Sequence, residues 1–147
     1  MTPGEVHRHV CEAFDEFERR RYEGVGLDNW EPLRADLVAW VRGIDQATAF
    51  AGLLELLMSE HRYAYQDIAG ELLDKGGVPC RLPLADFLRR VLPLWDLSAG
   101  TVPRYAARVF GREAVLAHVR NLQALGVTWP SRGALDGVQY QLGEHLG

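Results

Sequence analysis

Residues 45–77 read DQATAFAGLLELLMSEHRYAYQDIAGELLDKGG and predict two consecutive amphipathic helices. Asp45 is a typical N-cap residue, and the apolar residues after it recur three or four positions apart, as they do on one helix face. The same spacing returns after the polar residues 59–62 and stops at Gly76 and Gly77, which favour a helix C-terminus. Because the connector is short, we expect the two helices to pack as an antiparallel pair.

Helical periodicity continues on both sides of this pair, and no segment alternates apolar and polar residues with the period of two that marks a strand. The further helices are predicted over about 3–23, 30–42, 84–95, 101–110, 112–125 and 131–146. We therefore predict an all-α fold of about eight helices, arranged as four antiparallel hairpins in one domain, residues 1–147.

A tripeptide recurs within this predicted series of helices. Arg62-Tyr63-Ala64 returns as Arg104-Tyr105-Ala106, an offset of 42 residues, each time near the start of the second helix of a hairpin. In this tripeptide and in hairpin length, residues 45–125 resemble a short HEAT-like array of α-helical hairpins. The resemblance implies stacked hairpins that present their faces to another macromolecule. A compact, non-repeating helical bundle is the alternative.

Charge is distributed unevenly along the chain. Residues 1–74 contain 15 acidic and 7 basic side chains, whereas residues 75–147 contain 5 acidic and 9 basic ones. The two parts carry about −8 and +4, which the formal net charge of −4 conceals. Such a polarity indicates a surface that steers a charged partner.

Targeting signals and cysteine spacing both favour a cytoplasmic protein. The apolar stretch 50–58 is interrupted by Gly52 and Glu55 and is far shorter than the roughly 20 residues that span a bilayer. The N-terminus lacks the basic start and apolar middle of a secretion signal. Cys11 and Cys80 belong to no Cys-x-x-Cys pair, so we expect reduced thiols and no membrane association.

No motif in the sequence carries catalytic chemistry. His7, Cys11 and Asp15 are spaced by four residues and would align along the first helix, but metal-binding signatures such as His-Glu-x-x-His are absent. Adjacent residues such as Ser59, Glu60 and His61 point in different directions and cannot form a catalytic triad. We expect no catalytic residue, metal or cofactor; an enzyme whose site is assembled from distant residues remains a third possibility.

The acidic part of the chain supplies the first binding hypothesis. Glu12, Asp15 and Glu16 lie on the first predicted helix, and Trp30 stands near Pro32 at the start of the second, where a partly exposed ring can anchor a partner. We predict a non-enzymatic interaction module that binds a basic protein through these residues. Small immunity proteins that neutralise toxins, and adaptors, are the analogy for such a role.

The basic part of the chain supplies the alternative. Arg104 and Arg108 are four residues apart, and Arg112 begins the next helix, so the three can form a cationic ridge that contacts phosphates. Nucleic acid is therefore a second candidate partner, although the sequence pI of about 5.7 opposes strong nonspecific binding.

Overall fold

Helices make up all the regular secondary structure in the computed structural model, which describes residues 1–24, 29–59, 63–128 and 132–144. These ranges contain eight α-helices, one short 3₁₀ turn (Leu92–Leu94) and no strand, which confirms the all-α prediction. The helices are α1 (Pro3–Tyr22), α2 (Glu31–Arg42), α3 (Gln46–Leu57), α4 (Tyr63–Lys75), α5 (Leu84–Val91), α6 (Thr101–Phe110), α7 (Arg112–Leu125) and α8 (Arg132–Gln141).

Local capping explains where several helices begin and end. The Thr2 side chain accepts a hydrogen bond from the Glu5 N–H at 3.2 Å, and the Asp45 side chain accepts one from the Thr48 N–H at 3.1 Å. Gly126 ends α7 with a φ of 63°, a left-handed conformation that glycine adopts without strain. Ser131, the first residue of the predicted helix 131–146 and of a type that favours helix N-caps, lies outside the described residues.

The helices do not pack in simple sequential order. α1 packs mainly against α3 and only lightly against α2, while α4 packs against both α3 and α6. Two glycines permit close approaches of helix backbones: a Cβ at Gly52 would lie 2.6 Å from the Pro3 carbonyl oxygen, and a Cβ at Gly70 would lie 2.9 Å from the backbone carbon of Thr101. The predicted pairs α3/α4 and α7/α8 are in contact, but α1 and α4 make their most extensive contacts with helices two positions along the chain.

One hydrophobic cluster contains residues from all eight helices. Val6 of α1, Leu72 of α4 and Val119 of α7 are members of it and are completely buried. The acidic and basic parts of the sequence therefore share a core. No helix in the described ranges is both long and apolar enough to cross a membrane.

The repeated tripeptide occupies two different environments. Tyr63 is 50% exposed at the start of α4, whereas Tyr105 is completely buried in α6 and donates a hydrogen bond to the Val78 carbonyl oxygen at 2.8 Å. Arg62 lies outside the described residues. The two copies of Arg-Tyr-Ala thus do not place their tyrosines equivalently.

Gln66 joins α4 to two other segments through its side-chain amide. Its Nε2 donates to the carbonyl oxygens of Ser59 at 3.0 Å and Leu94 at 2.6 Å, and its Oε1 accepts from the Asp96 N–H at 2.8 Å. The side chain is only 1% exposed. A buried amide whose donors and acceptor are all used fixes the position of the segments it binds.

Candidate functional site

A groove runs along the side of the molecule where α1, α2, α4 and α6 meet. It consists of a central cavity of about 340 Å³, an outer cavity of about 460 Å³ and a polar cavity of about 330 Å³. The central and outer cavities share Phe14, Glu18 and Tyr63 among their lining residues, and the central and polar cavities share Trp30 and Asp67. The three spaces are therefore contiguous, and we refer to them together as the groove.

Aromatic side chains form the floor of the groove. Phe14 contacts Trp30 edge-on with ring centroids 6.3 Å apart and contacts Tyr65 at 5.9 Å, while Phe17 contacts Trp30 at 6.4 Å. These are the edge-to-face arrangements that aromatic pairs prefer. Trp30 stands directly before α2, and its ring is held against α1 while remaining partly exposed. The contacts hold these rings in fixed relative positions along the groove.

Charged side chains line the rim, with carboxylates in excess. Among the described lining residues there are five carboxylates and three guanidinium groups. Arg34 binds two of the carboxylates, since it pairs with Glu31 within α2 and reaches Glu71 of α4 at 2.7 Å. The hydrogen bonds to Glu31 and then Glu71 raise the pKa of Arg34 above its ordinary value. Glu18 is paired more loosely, with 3.7 Å between its carboxylate and Arg21.

Asp67 is positioned from the opposite side of the groove by α6. The Thr101 N–H donates to Asp67 Oδ1 at 3.3 Å, and the Thr101 hydroxyl lies 2.6 Å from the Asp67 carbonyl oxygen and 2.9 Å from Oδ1. Thr101 can approach this closely because Gly70, one turn along α4, has no side chain. The result is a carboxylate held in place between the central and polar cavities.

The structure brings together only two of the four predicted acidic-face residues. Asp15 lines the outer cavity and accepts a hydrogen bond from the Tyr65 hydroxyl, and Trp30 lines the central and polar cavities. Glu12 and Glu16 project about 160–200° away from Phe14 around α1, on the side opposite the groove. Glu16 is bound there by Arg19 at 2.6 Å and Arg20 at 3.0 Å, and these contacts lower its pKa to about 2.

The predicted cationic ridge is largely bound within the molecule. Arg108 pairs with Asp74 and lies 5.6 Å from the centre of the Tyr105 ring. Arg112 pairs with Glu113 at 2.5 Å and donates to the Leu142 carbonyl oxygen at 2.8 Å. Arg104 belongs to the polar cavity, where its Nε donates to the Gly100 carbonyl oxygen at 3.3 Å. The three arginines therefore bind three different parts of the chain.

The potential ligands on α1 are not directed toward a common point. His7 Nδ1 lies 3.1 Å from Glu55 of α3, whereas Asp15 is bound by Tyr65. The described ranges contain no group of three histidine, cysteine or acidic side chains with metal-binding geometry. Burial raises the pKa of the Cys80 thiol, whose sulfur lies 3.4 Å from the Leu82 carbonyl oxygen. Of the described residues that line the groove, none is a histidine, cysteine or serine.

Three important groove residues were not singled out by the sequence. Phe14 has the helical spacing of an ordinary core residue, Tyr63 is notable only as part of a tripeptide, and Asp67 is one of several carboxylates spaced along a helix. The three residues form one surface that is both aromatic and acidic. This surface exists only when α1, α2 and α4 are packed together, so no single stretch of sequence indicates it. Comparison of the chain with protein-family models, curated proteins and solved structures gives no match.

Proposed function

We propose that this protein is a non-enzymatic interaction module that binds a basic segment of a partner protein in the groove. The observation that carries the proposal is the combination of a preformed aromatic floor with a rim in which carboxylates outnumber arginines by five to three among the described residues. Aromatic anchors supply contact area at protein interfaces, and complementary charge supplies orientation and a faster encounter.

The size and composition of the groove suit a segment of chain better than a small substrate. Three contiguous cavities of about 340, 460 and 330 Å³ extend over four helices, so a ligand that fills them has the length of several residues. The hydroxyl groups of Thr101 and Tyr65 in the lining of the groove are bound to Asp67 and Asp15, and the described lining residues include no histidine, cysteine or serine to extend either pair into a catalytic triad. Binding is therefore a better-supported role than catalysis.

The test uses synthetic peptides of about 12 residues, roughly three helical turns, composed of Arg and Leu, with matched peptides in which Glu replaces Arg. We expect the basic peptides to bind with an affinity that falls as salt is added, because exposed charges are screened. When the peptide is titrated into the protein, the amide chemical shifts of Trp30, Ala64 and Asp67 should change first. Equal binding of the acidic peptides, or shifts confined to other surfaces, would refute the proposal.

A pair of tyrosine variants provides the matched control. Tyr63 lines the central and outer cavities and is 50% exposed, whereas Tyr140 on α8 is 72% exposed and lines none of the three cavities. Tyr63→Ala should weaken the basic peptide roughly fivefold, the effect of losing an interface contact of moderate strength, and Tyr140→Ala should leave it unchanged. A short RNA or DNA in the same assay tests the nucleic-acid alternative, and its binding in place of the peptides would favour that function.

A further inference from the structure

Trp30 and Asp67 line both the central and the polar cavity, so the two cavities meet at an aromatic ring and a carboxylate. We propose that this junction is the subsite for a positively charged side chain of the partner, with arginine as the preferred residue. The proposal rests on the proposed function and identifies the part of the groove that gives it specificity for basic segments.

Trp30 provides an aromatic surface that is fixed before a partner arrives. Its ring is held by Phe14 and Phe17 through contacts at interplanar angles of 87° and 60°. Because Trp30 is also partly exposed and lines the central cavity, part of its ring faces the groove. A cation over an aromatic ring is attracted by the ring quadrupole, and tryptophan gives the strongest attraction of the aromatic side chains. A planar guanidinium can also stack on the indole, which an ammonium cannot do.

Asp67 provides the anion of the subsite. Thr101 binds Oδ1 alone, and Oδ2 receives no hydrogen bond from any described residue. The carboxylate is therefore oriented by one oxygen while the other remains available to a ligand. Hydrogen bonds between ionised groups are shorter and stronger than neutral ones, and an oriented acceptor loses little freedom when it forms them.

The arginines of the groove do not neutralise Asp67. Arg34 is bound to Glu31 and Glu71, and Arg21 is nearest to Glu18. Arg104 donates from Nε to a backbone carbonyl oxygen of its own helix start. Within the described residues, no ion pair joins any of these three guanidinium groups to Asp67. Asp67 is thus open to an ion pair with a cation supplied by the partner.

The experiment replaces each arginine of a binding peptide in turn by citrulline, which has nearly the same shape and no charge. Each peptide is measured against the unchanged protein, Asp67→Asn and Asp36→Asn. The Asp67→Asn variant should remain folded, because the oxygen of its side-chain amide can still accept from Thr101. Asp36 is exposed on α2 and lines none of the three cavities, so Asp36→Asn makes the same charge change away from the groove.

We expect one peptide position at which citrulline lowers the affinity for the unchanged protein and for Asp36→Asn roughly tenfold. At the same position, citrulline should lower the affinity for Asp67→Asn by about twofold or less. If basic peptides bind in the groove and no position is coupled to Asp67 in this way, the subsite is refuted while the proposed function stands. If the peptides do not bind in the groove, both fail. A lysine peptide that binds as tightly as its arginine counterpart would refute the preference for arginine.

Discussion

Replacing Gly52 by alanine should destabilise the protein because α3 has no room for a side chain at this point. The new Cβ would lie 2.6 Å from the Pro3 carbonyl oxygen, 2.6 Å from the Cβ of Val6 and 2.8 Å from its Cγ1. Restoring ordinary contact distances requires α1 to move away by about 0.8 Å. Neither obstructing group can turn aside, since one is backbone and the other belongs to a completely buried valine.

The net effect combines two opposing terms. Overfilling a packed core costs about 3 kcal/mol when the backbone must shift, and the higher helix propensity of alanine returns about 1 kcal/mol. We therefore expect the free energy of unfolding to fall by about 2 kcal/mol, which for a chain of this length lowers Tm by roughly 8 °C. Urea titration followed by helical circular dichroism measures the first quantity, and thermal unfolding measures the second.

Gly4→Ala is the matched control for this prediction. Gly4 is exposed in the first turn of α1, and the nearest atom to a new Cβ would be the Thr2 hydroxyl oxygen at 3.9 Å. It should be neutral or stabilising by up to about 1 kcal/mol. If Gly52→Ala were as stable as Gly4→Ala, the close approach of α1 and α3 would be wrong, and with it the position of the helix that lines one side of the groove.

Two further substitutions test interactions described above. Gln66→Leu leaves two carbonyl oxygens and one N–H without their partner, so the free energy of unfolding measured in urea should fall by about 3–5 kcal/mol. The same change at the exposed Gln46 should alter it by less than about 0.5 kcal/mol, and an equally small effect at residue 66 would exclude the buried amide bridge. Glu16→Gln should be less stable than the unchanged protein above pH 4.5, the ordinary pKa of the carboxyl, and this difference should disappear as the pH falls toward 2, because a lowered pKa in the folded state stabilises it only while the group is ionised. A difference that stays constant over this pH range would mean that Arg19 and Arg20 do not hold Glu16 as described.

The local features of the fold were predictable because each depends on neighbouring residues in the chain. Asp45 caps α3 through the N–H of Thr48, three residues later, and Gly43 directly follows the last residue of α2. Such interactions are encoded within a single helical turn. The start of α6 shows the limit of this reasoning, because threonine is a favoured N-cap residue but Thr101 is the first helical residue, with its hydroxyl directed to α4.

The arrangement of the helices was less accessible because it depends on contacts between distant residues. Sequence suggested sequential hairpins, whereas Gly52 allows α1 to pack closely against α3. Within a helical sequence pattern, an internal glycine indicates only a locally lower helix propensity. Nothing in the pattern specifies that the empty space at residue 52 will be filled by the backbone of residue 3.

The candidate site was only partly predictable, because its residues come from segments that are far apart in the sequence. Trp30 was recognised from its place near a proline at a helix start, and it lies in the groove. Glu12, Asp15 and Glu16 were grouped by proximity in sequence, yet only Asp15 shares the face of α1 that lines the groove. The carboxylate of Asp67 is held in the groove by a hydrogen bond from Thr101, which is 34 residues away in the sequence.

Cutting the chain near residue 75, where the sign of its charge changes, would not yield two independent proteins. The cut would separate α4 from α6 and expose to water the surfaces that meet at Gly70 and Thr101. Each fragment would then carry a bare apolar face and an opposite net charge, the conditions under which two pieces reassociate. Because Thr101 and Arg104 complete the polar cavity from beyond the cut, the acidic fragment alone would lack part of the lining of the groove.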